Sequence, residues 1–150
     1  MSGEEHAERV LSARRQQSDQ IQWQIRKGEI LRSSIPLFLS QVAEYLSVNA
    51  EAFNSRLDLT GDSALQIYAC DSYVTITKKS SPVFLGKLSL ISGTERARLT
   101  AEIVAGLRQP QTVTTEYLFD VRPDGTVELN GMNFCTFAKS LLDRAARLFD

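Results

Sequence analysis

This chain carries little of what most enzymes use for chemistry. Of its 150 residues one is histidine, His6, and two are cysteine, Cys70 and Cys135. A single imidazole, in the acidic opening MSGEEHAERV, leaves no partner set for a serine or cysteine triad. One histidine and two distant cysteines are also too few for a zinc centre or a disulfide framework. The 8 glycines are scattered with no Gly-x-Gly pair, so no loop reads as a phosphate cradle. No cluster of Asp residues has metal-ligand spacing, and the expectation is a chain without cofactor or metal. No apolar run approaches the roughly 20 residues that span a bilayer; the longest, Ile35 to Leu39, contains Pro36.

An excess of either charge is missing too. There are 17 Lys+Arg against 18 Asp+Glu, a net charge of -1, and the balance holds in residues 1–58, 59–130 and 131–150 alike. Without a basic stripe, attraction to nucleic acid or to an anionic membrane has little to act on. The opening residues are too acidic and polar for a signal peptide, and two thiols without a secretion signal fit a reducing cytosol. The expected location is therefore cytoplasmic.

What the chain does have is an ordinary globular composition, 43% hydrophobic and 23% charged, and enough length to bury a core without disulfides or metal. Its informative feature is a change of period. Apolar residues recur at helical spacing up to about Leu57, alternate like strands from about Leu65 to Leu129, and return to helical spacing from Phe134. This predicts a single α+β domain over 1–150: helical residues 1–58, an antiparallel sheet over 64–130 and a closing helix over 133–149.

In the helical half, Ala7, Leu11, Ile21 and Ile25 share a stripe that Arg14 and Ser18 interrupt. So weakly amphipathic a helix frays or rests on a partner, a second copy included. Gln20 to Ile25 also alternates like a short strand, but its long polar neighbours favour helix. Pro36 either starts a second helix or kinks a continuous one. Phe38, Leu39, Val42, Leu46, Phe53 and Leu57 form the strongest stripe and should cover the sheet.

Within that stretch, Leu39 to Leu57 resembles a DNA-binding helix-turn-helix. Ala43 stands where that family has a small residue, Leu46 and Val48 flank the turn, and Phe53 seats the second helix. The resemblance implies a recognition helix bearing Ala50, Glu51, Asn54 and Ser55, with Arg56 its only cation. Ser47 stands where the turn usually has glycine. The other reading is one uninterrupted core helix, on which Val42, Leu46, Phe53 and Leu57 also align, and the absence of a basic footprint favours it.

Five or six short strands follow: Leu65–Ala69, Tyr73–Thr77, Val83–Ile91, Arg96–Val104, Val113–Val121 and Thr126–Asn130. Cys70-Asp71-Ser72, Ser92-Gly93-Thr94 and Arg122-Pro123-Asp124-Gly125-Thr126 read as turns, and loops this short make a meander the economical topology. One face is apolar and belongs under the helices. The other carries Thr75, Thr77, Lys87, Arg98, Thr100, Glu102, Thr114, Glu116 and Asp120, the pattern of a solvated face. Asn133 can cap the closing helix, whose stripe of Phe134, Phe137, Ala138, Leu141, Leu142, Ala145 and Leu148 has Cys135 at its edge as a small buried hydrophobe.

The leading expectation is a non-enzymatic protein-interaction module, chaperone- or adaptor-like, that binds a protein partner or itself as a homo-oligomer. The under-satisfied helix over 3–33 motivates it. An alternative is a small-molecule or peptide binder with a pocket between helices and sheet, near Trp23, Tyr68, Tyr73 and Cys70. A further alternative is a DNA-binding regulator acting through residues 39–57. Paired-carboxylate chemistry could draw only on Glu102, Glu116 and Asp120, which sit among Lys, Arg and Thr.

Overall fold

A single helix dominates the computed structural model, which describes residues 2–91 and 95–149. Helix α1 runs from Gly3 to Arg56, 54 residues or roughly 80 Å at about 1.5 Å per residue. Ser2 caps it, its hydroxyl accepting from Glu5 N at 3.2 Å, and Glu4 and Glu5 in the first turn complement the helix dipole. Residues 20–25 are helical, so the alternating strand pattern there is not used.

Pro36 lies inside α1 without ending it. Its ring nitrogen cannot donate to the Arg32 carbonyl, a defect that costs about 3 kcal/mol. Leu31 before it and Phe38, Leu39 and Val42 after it are all buried against the same sheet. At about 1.5–3 kcal/mol each, those side chains outweigh the defect. The continuous helix also removes the helix-turn-helix geometry. Ser47 is helical, Leu46 and Ala50 are buried, and residues 39–56 contain no turn.

The helix ends in a left-handed cap built on Asp58 rather than glycine, with φ 52°. Asp58 N donates to Ser55 O, and Leu59 N to Asn54 O at 2.9 Å, the paired bonds of a Schellman ending. A 3-10 turn, Gly61–Ser63, leads into the sheet. Asn54 then joins helix to sheet directly. Its amide donates to Leu65 O at 2.9 Å, and its carbonyl accepts from Leu65 N at 2.8 Å.

The six strands among the described residues are β1 Gln66–Ala69, β2 Tyr73–Lys78, β3 Val83–Leu90, β4 Arg96–Val104, β5 Gln111–Val121 and β6 Val127–Leu129. They form one curled antiparallel meander in chain order. The turn expected at Ser92-Gly93-Thr94 lies outside the described residues. Register places Ile67, Ile76, Gly86 and Ala101 in one inward row, with Val74, Leu88 and Leu99 in the next. Gly86 is small for a reason: a Cβ there would sit 3.0 Å from Ile76 Cγ2 and 3.1 Å from the Phe84 ring. Gly125, at φ 89°, makes the β5–β6 turn, its N–H donating to Arg122 O at 2.9 Å.

Helix α2, Phe134–Ala146, is capped by Asn133, whose side chain accepts from Thr136 N at 2.8 Å. It buries Phe137, Ala138, Leu141 and Ala145, and a 3-10 turn, Arg147–Phe149, follows. Both helices lie on the same face of the sheet. The core knits at Phe38 of α1, edge-on to Phe119 of β5 at 5.4 Å and 6.5 Å from Phe137 of α2. Cys135 is exposed, not buried at the stripe's edge as its spacing suggested. It lies in the first turn of α2, where the sheet does not cover it.

Because one side chain closes two bonds between α1 and the chain entering β1, Asn54→Ala is expected to cost about 1–3 kcal/mol. The shift of the urea midpoint at constant slope measures it. A loss below about 0.5 kcal/mol, the range of an ordinary surface change, would show that the clamp does not hold the two halves together.

Candidate interaction surface

Where α1 leaves the rest of the molecule, the character of its surface changes. Residues 2–22 are exposed at every position. Trp23, Lys27, Gly28 and Ile30 are half-buried, and Leu31 is buried. The first twenty or so residues are thus an arm about 30 Å long, at about 1.5 Å per residue, without a covering surface of its own. Along it Val10 is 50% exposed, Leu11 42%, Ile21 60% and, just past its base, Ile25 58%. The unsatisfied stretch is shorter than the 3–33 expected, because residues 23–33 start to pack.

The base of the arm is pinned by charge. Lys27 Nζ lies 2.5 Å from Asp120 Oδ1 at the end of β5. That hydrogen bond, together with one from Val121 N at 2.8 Å, holds the Asp120 carboxyl below its ordinary range. Trp23, the only tryptophan, sits one turn away and packs against the core.

Of the residues expected to share a pocket, three come together and one does not. Tyr68, Cys70 and Tyr73 meet at the β1–β2 turn, where Cys70 N donates to Tyr73 O at 2.9 Å. The rings of Tyr68 and Tyr73 are 5.9 Å apart, and Lys87 Nζ sits 4.4 Å above the Tyr73 ring. The pairing of Tyr68 with Thr75 puts this cluster on the sheet face turned away from the helices, so it does not line the helix–sheet seam. Trp23 lies 31 residues along α1 from Asn54, the residue that holds the entry to β1. That separation is about 45 Å of helix.

Cys70 is exposed, and hydrogen bonding from Ser72, backbone first and then hydroxyl, lowers its pKa. Partial burial raises that of Tyr73, with Cys70 and Tyr68 adding to the shift. His6 lies far out on the arm, so the thiol has no imidazole in reach. The carboxylates are dispersed as well. Glu116 pairs with Arg98 at 3.3 Å and with Arg96 at 3.7 Å. Asp120 is four residues along β5, and Glu102 lies opposite Thr112, four residues the other way. Each step is about 13 Å at 3.3 Å per residue, too far for two carboxylates to act on one bond. Among the described residues no three His, Cys, Asp or Glu gather to hold a metal ion.

The helix–sheet seam does hold an open cleft, of about 500 Å³, at the far end of α1. Ala50, Glu51, Asn54, Asp58, Leu65 and Ile67 line it, none of them aromatic. Glu51 and Asn54, which the helix-turn-helix resemblance would place against DNA, face this cleft.

One functional-looking residue escaped sequence reasoning. Lys78 is 5% exposed on the inward face of β2, donating to Pro82 O at 3.3 Å and lying 4.7 Å from the centre of the Phe149 ring. It follows Val74 and Ile76 at the strand period of two, a signal obscured because lysine reads as the start of a loop. Burial lowers its pKa.

Family models, curated proteins and solved structures were all compared with this chain, and none matches it. No helix among the described residues is long and apolar enough to cross a membrane.

Two outcomes follow from these charges. The folded pKa of Asp120 is depressed, so its contribution is present above the ordinary carboxylate range and lost as pH falls through the folded value. Asp120→Asn is therefore expected to shift Trp23 emission to the red at neutral pH, as acid does in the parent, with less than about 1 kcal/mol lost because the pair is solvated. An unchanged emission would mean that the pair does not pin the arm. Lys78 has the opposite sign: its depressed pKa marks a charge the fold disfavours, a cost relieved as pH rises toward the unfolded value. Lys78→Met is expected to raise the melting temperature, most at neutral pH and least near pH 10; a fall would show that the Pro82 and Phe149 contacts outweigh desolvation.

Proposed function

We propose that this protein is a non-enzymatic interaction module of the chaperone or adaptor kind, and that the arm of α1 is its binding element. The observation that carries this reading is the exposure of residues 2–22 on a helix whose remainder is anchored in the core. An isolated helix of this length is marginal in water, so its apolar residues gain most when another surface covers them. The anchored base presents the arm in one direction and lowers the entropy lost on binding. Two exposed, free thiols suit a reducing compartment, which supports a cytoplasmic location.

A second reading rests on the cleft between Ala50 and Ile67, whose size suits a small molecule or a short peptide. A ligand seated there would raise the melting temperature and leave the arm unaffected.

Deleting residues 1–22 discriminates between them, since Trp23 and everything beyond it stay in place. The expected result is a stability changed by less than about 0.5 kcal/mol, with every association of the full chain lost in light scattering. Association that survives the deletion would overturn the arm as the binding element.

A further inference from the structure

We propose that the occupant of the arm is the same arm of a second copy, laid antiparallel with its centre near Gln16. This rests on the interaction reading above and names the partner.

The first argument is register. Ala7, Leu11, Arg14, Ser18, Ile21 and Ile25 are spaced alternately by four and three residues, the seam of a two-stranded coiled coil. The seam is symmetric about residue 16. Antiparallel pairing sets Ala7 against the second copy's Ile25, Leu11 against its Ile21 and Arg14 against its Ser18. Each layer is then repeated by the two-fold axis, with apolar layers outside and polar ones at the centre. The interruption at Arg14 and Ser18 thereby gains a role, because polar seam positions select register at some cost in stability.

The second argument is charge. In this register Glu4 lies opposite the second copy's Gly28, within about one turn of its Arg26, and Asp19, opposite the second copy's Ala13, comes within about one turn of its Arg15. Parallel in-register pairing instead sets Glu4 and Arg14, both on the seam spacing, each against its own like charge, which is unfavourable. Opposite signs at opposite ends of the arm therefore select the antiparallel pair.

The third is access. Successive residues are about 100° apart around a helix, so Ile25 points about 160° away from Lys27, which is bound to Asp120. A second helix can follow the stripe to the base of the arm without meeting the sheet. Each partner's tip then ends beside the other's arm base, closing a two-fold dimer with no free apolar end.

The test uses the full chain with Cys70→Ser and Cys135→Ser, into which Leu11→Cys, Ile21→Cys or, on the outward side, Gln16→Cys is introduced singly. Mild oxidation should give covalent dimer when the Leu11→Cys and Ile21→Cys proteins are mixed. It should give several-fold less from either alone, and no more than background from Gln16→Cys. Light scattering of the parent should show twice the 16.7 kDa chain mass, falling to one chain in Leu11→Asp. Efficient cross-linking of each variant with itself overturns the antiparallel arrangement. A parent that stays monomeric at high micromolar concentration, or a dimer unchanged by Leu11→Asp, overturns self-pairing. These results bear on self-pairing alone; the interaction reading is tested separately by deletion of residues 1–22, where surviving association would overturn the arm as the binding element.

Discussion

Everything in this structure hangs on the burial of one strip of α1, from Leu31 to Ala50, against the inner face of the sheet. That strip carries the helix through Pro36, where local propensity alone would break it. It supplies Phe38, around which Phe119 and Phe137 pack. It also fixes the direction in which the uncovered arm leaves the molecule. A weaker strip would leave two shorter helices and an arm with no defined axis.

The two ends of the strip are secured by different chemistry. At the C-terminal end, neutral hydrogen bonding by Asn54 joins the helix to the residue that leads into β1, in a partly buried place where water competes poorly. At the N-terminal end, the Lys27–Asp120 pair is more exposed and its contribution falls with salt and acid. One end of α1 is thus a fixed joint, and the other a joint that solution conditions adjust. That gradient suits a helix of which one part belongs to the fold and the other stays uncovered.

The outer face of the sheet shows how much a charge pattern can reveal. Arg98 and Glu116 fall directly opposite one another and pair, as alternation along β4 and β5 implies. The placement of Thr75, Thr77, Lys87 and Thr100 on that face was legible for the same reason: strand periodicity needs no tertiary information. The placement of the aromatic residues was not legible. Tyr68 and Tyr73 look like pocket-lining residues in the sequence, but β1 pairs in a register that turns them outward. Cys135 failed in a similar way, since its spacing marks it as part of the stripe while its burial depends on what faces the first turn of α2.

The sequence by itself determined the kinds and order of the elements, the strand limits to within a few residues, the capping of α2 by Asn133 and the apolar face of each element. These are local matters of periodicity, turn chemistry and capping, set by neighbours a few positions away. Tertiary structure alone decided that α1 runs unbroken through Pro36, that Asp58 rather than glycine takes the left-handed position, that Lys78 is covered rather than left at a solvated strand end, and that packing begins at Trp23 while the preceding residues stay bare. Each of these depends on a free energy summed over residues far apart in the chain: buried area set against a lost hydrogen bond, strain, or a desolvated charge. No window of sequence contains both sides of that sum.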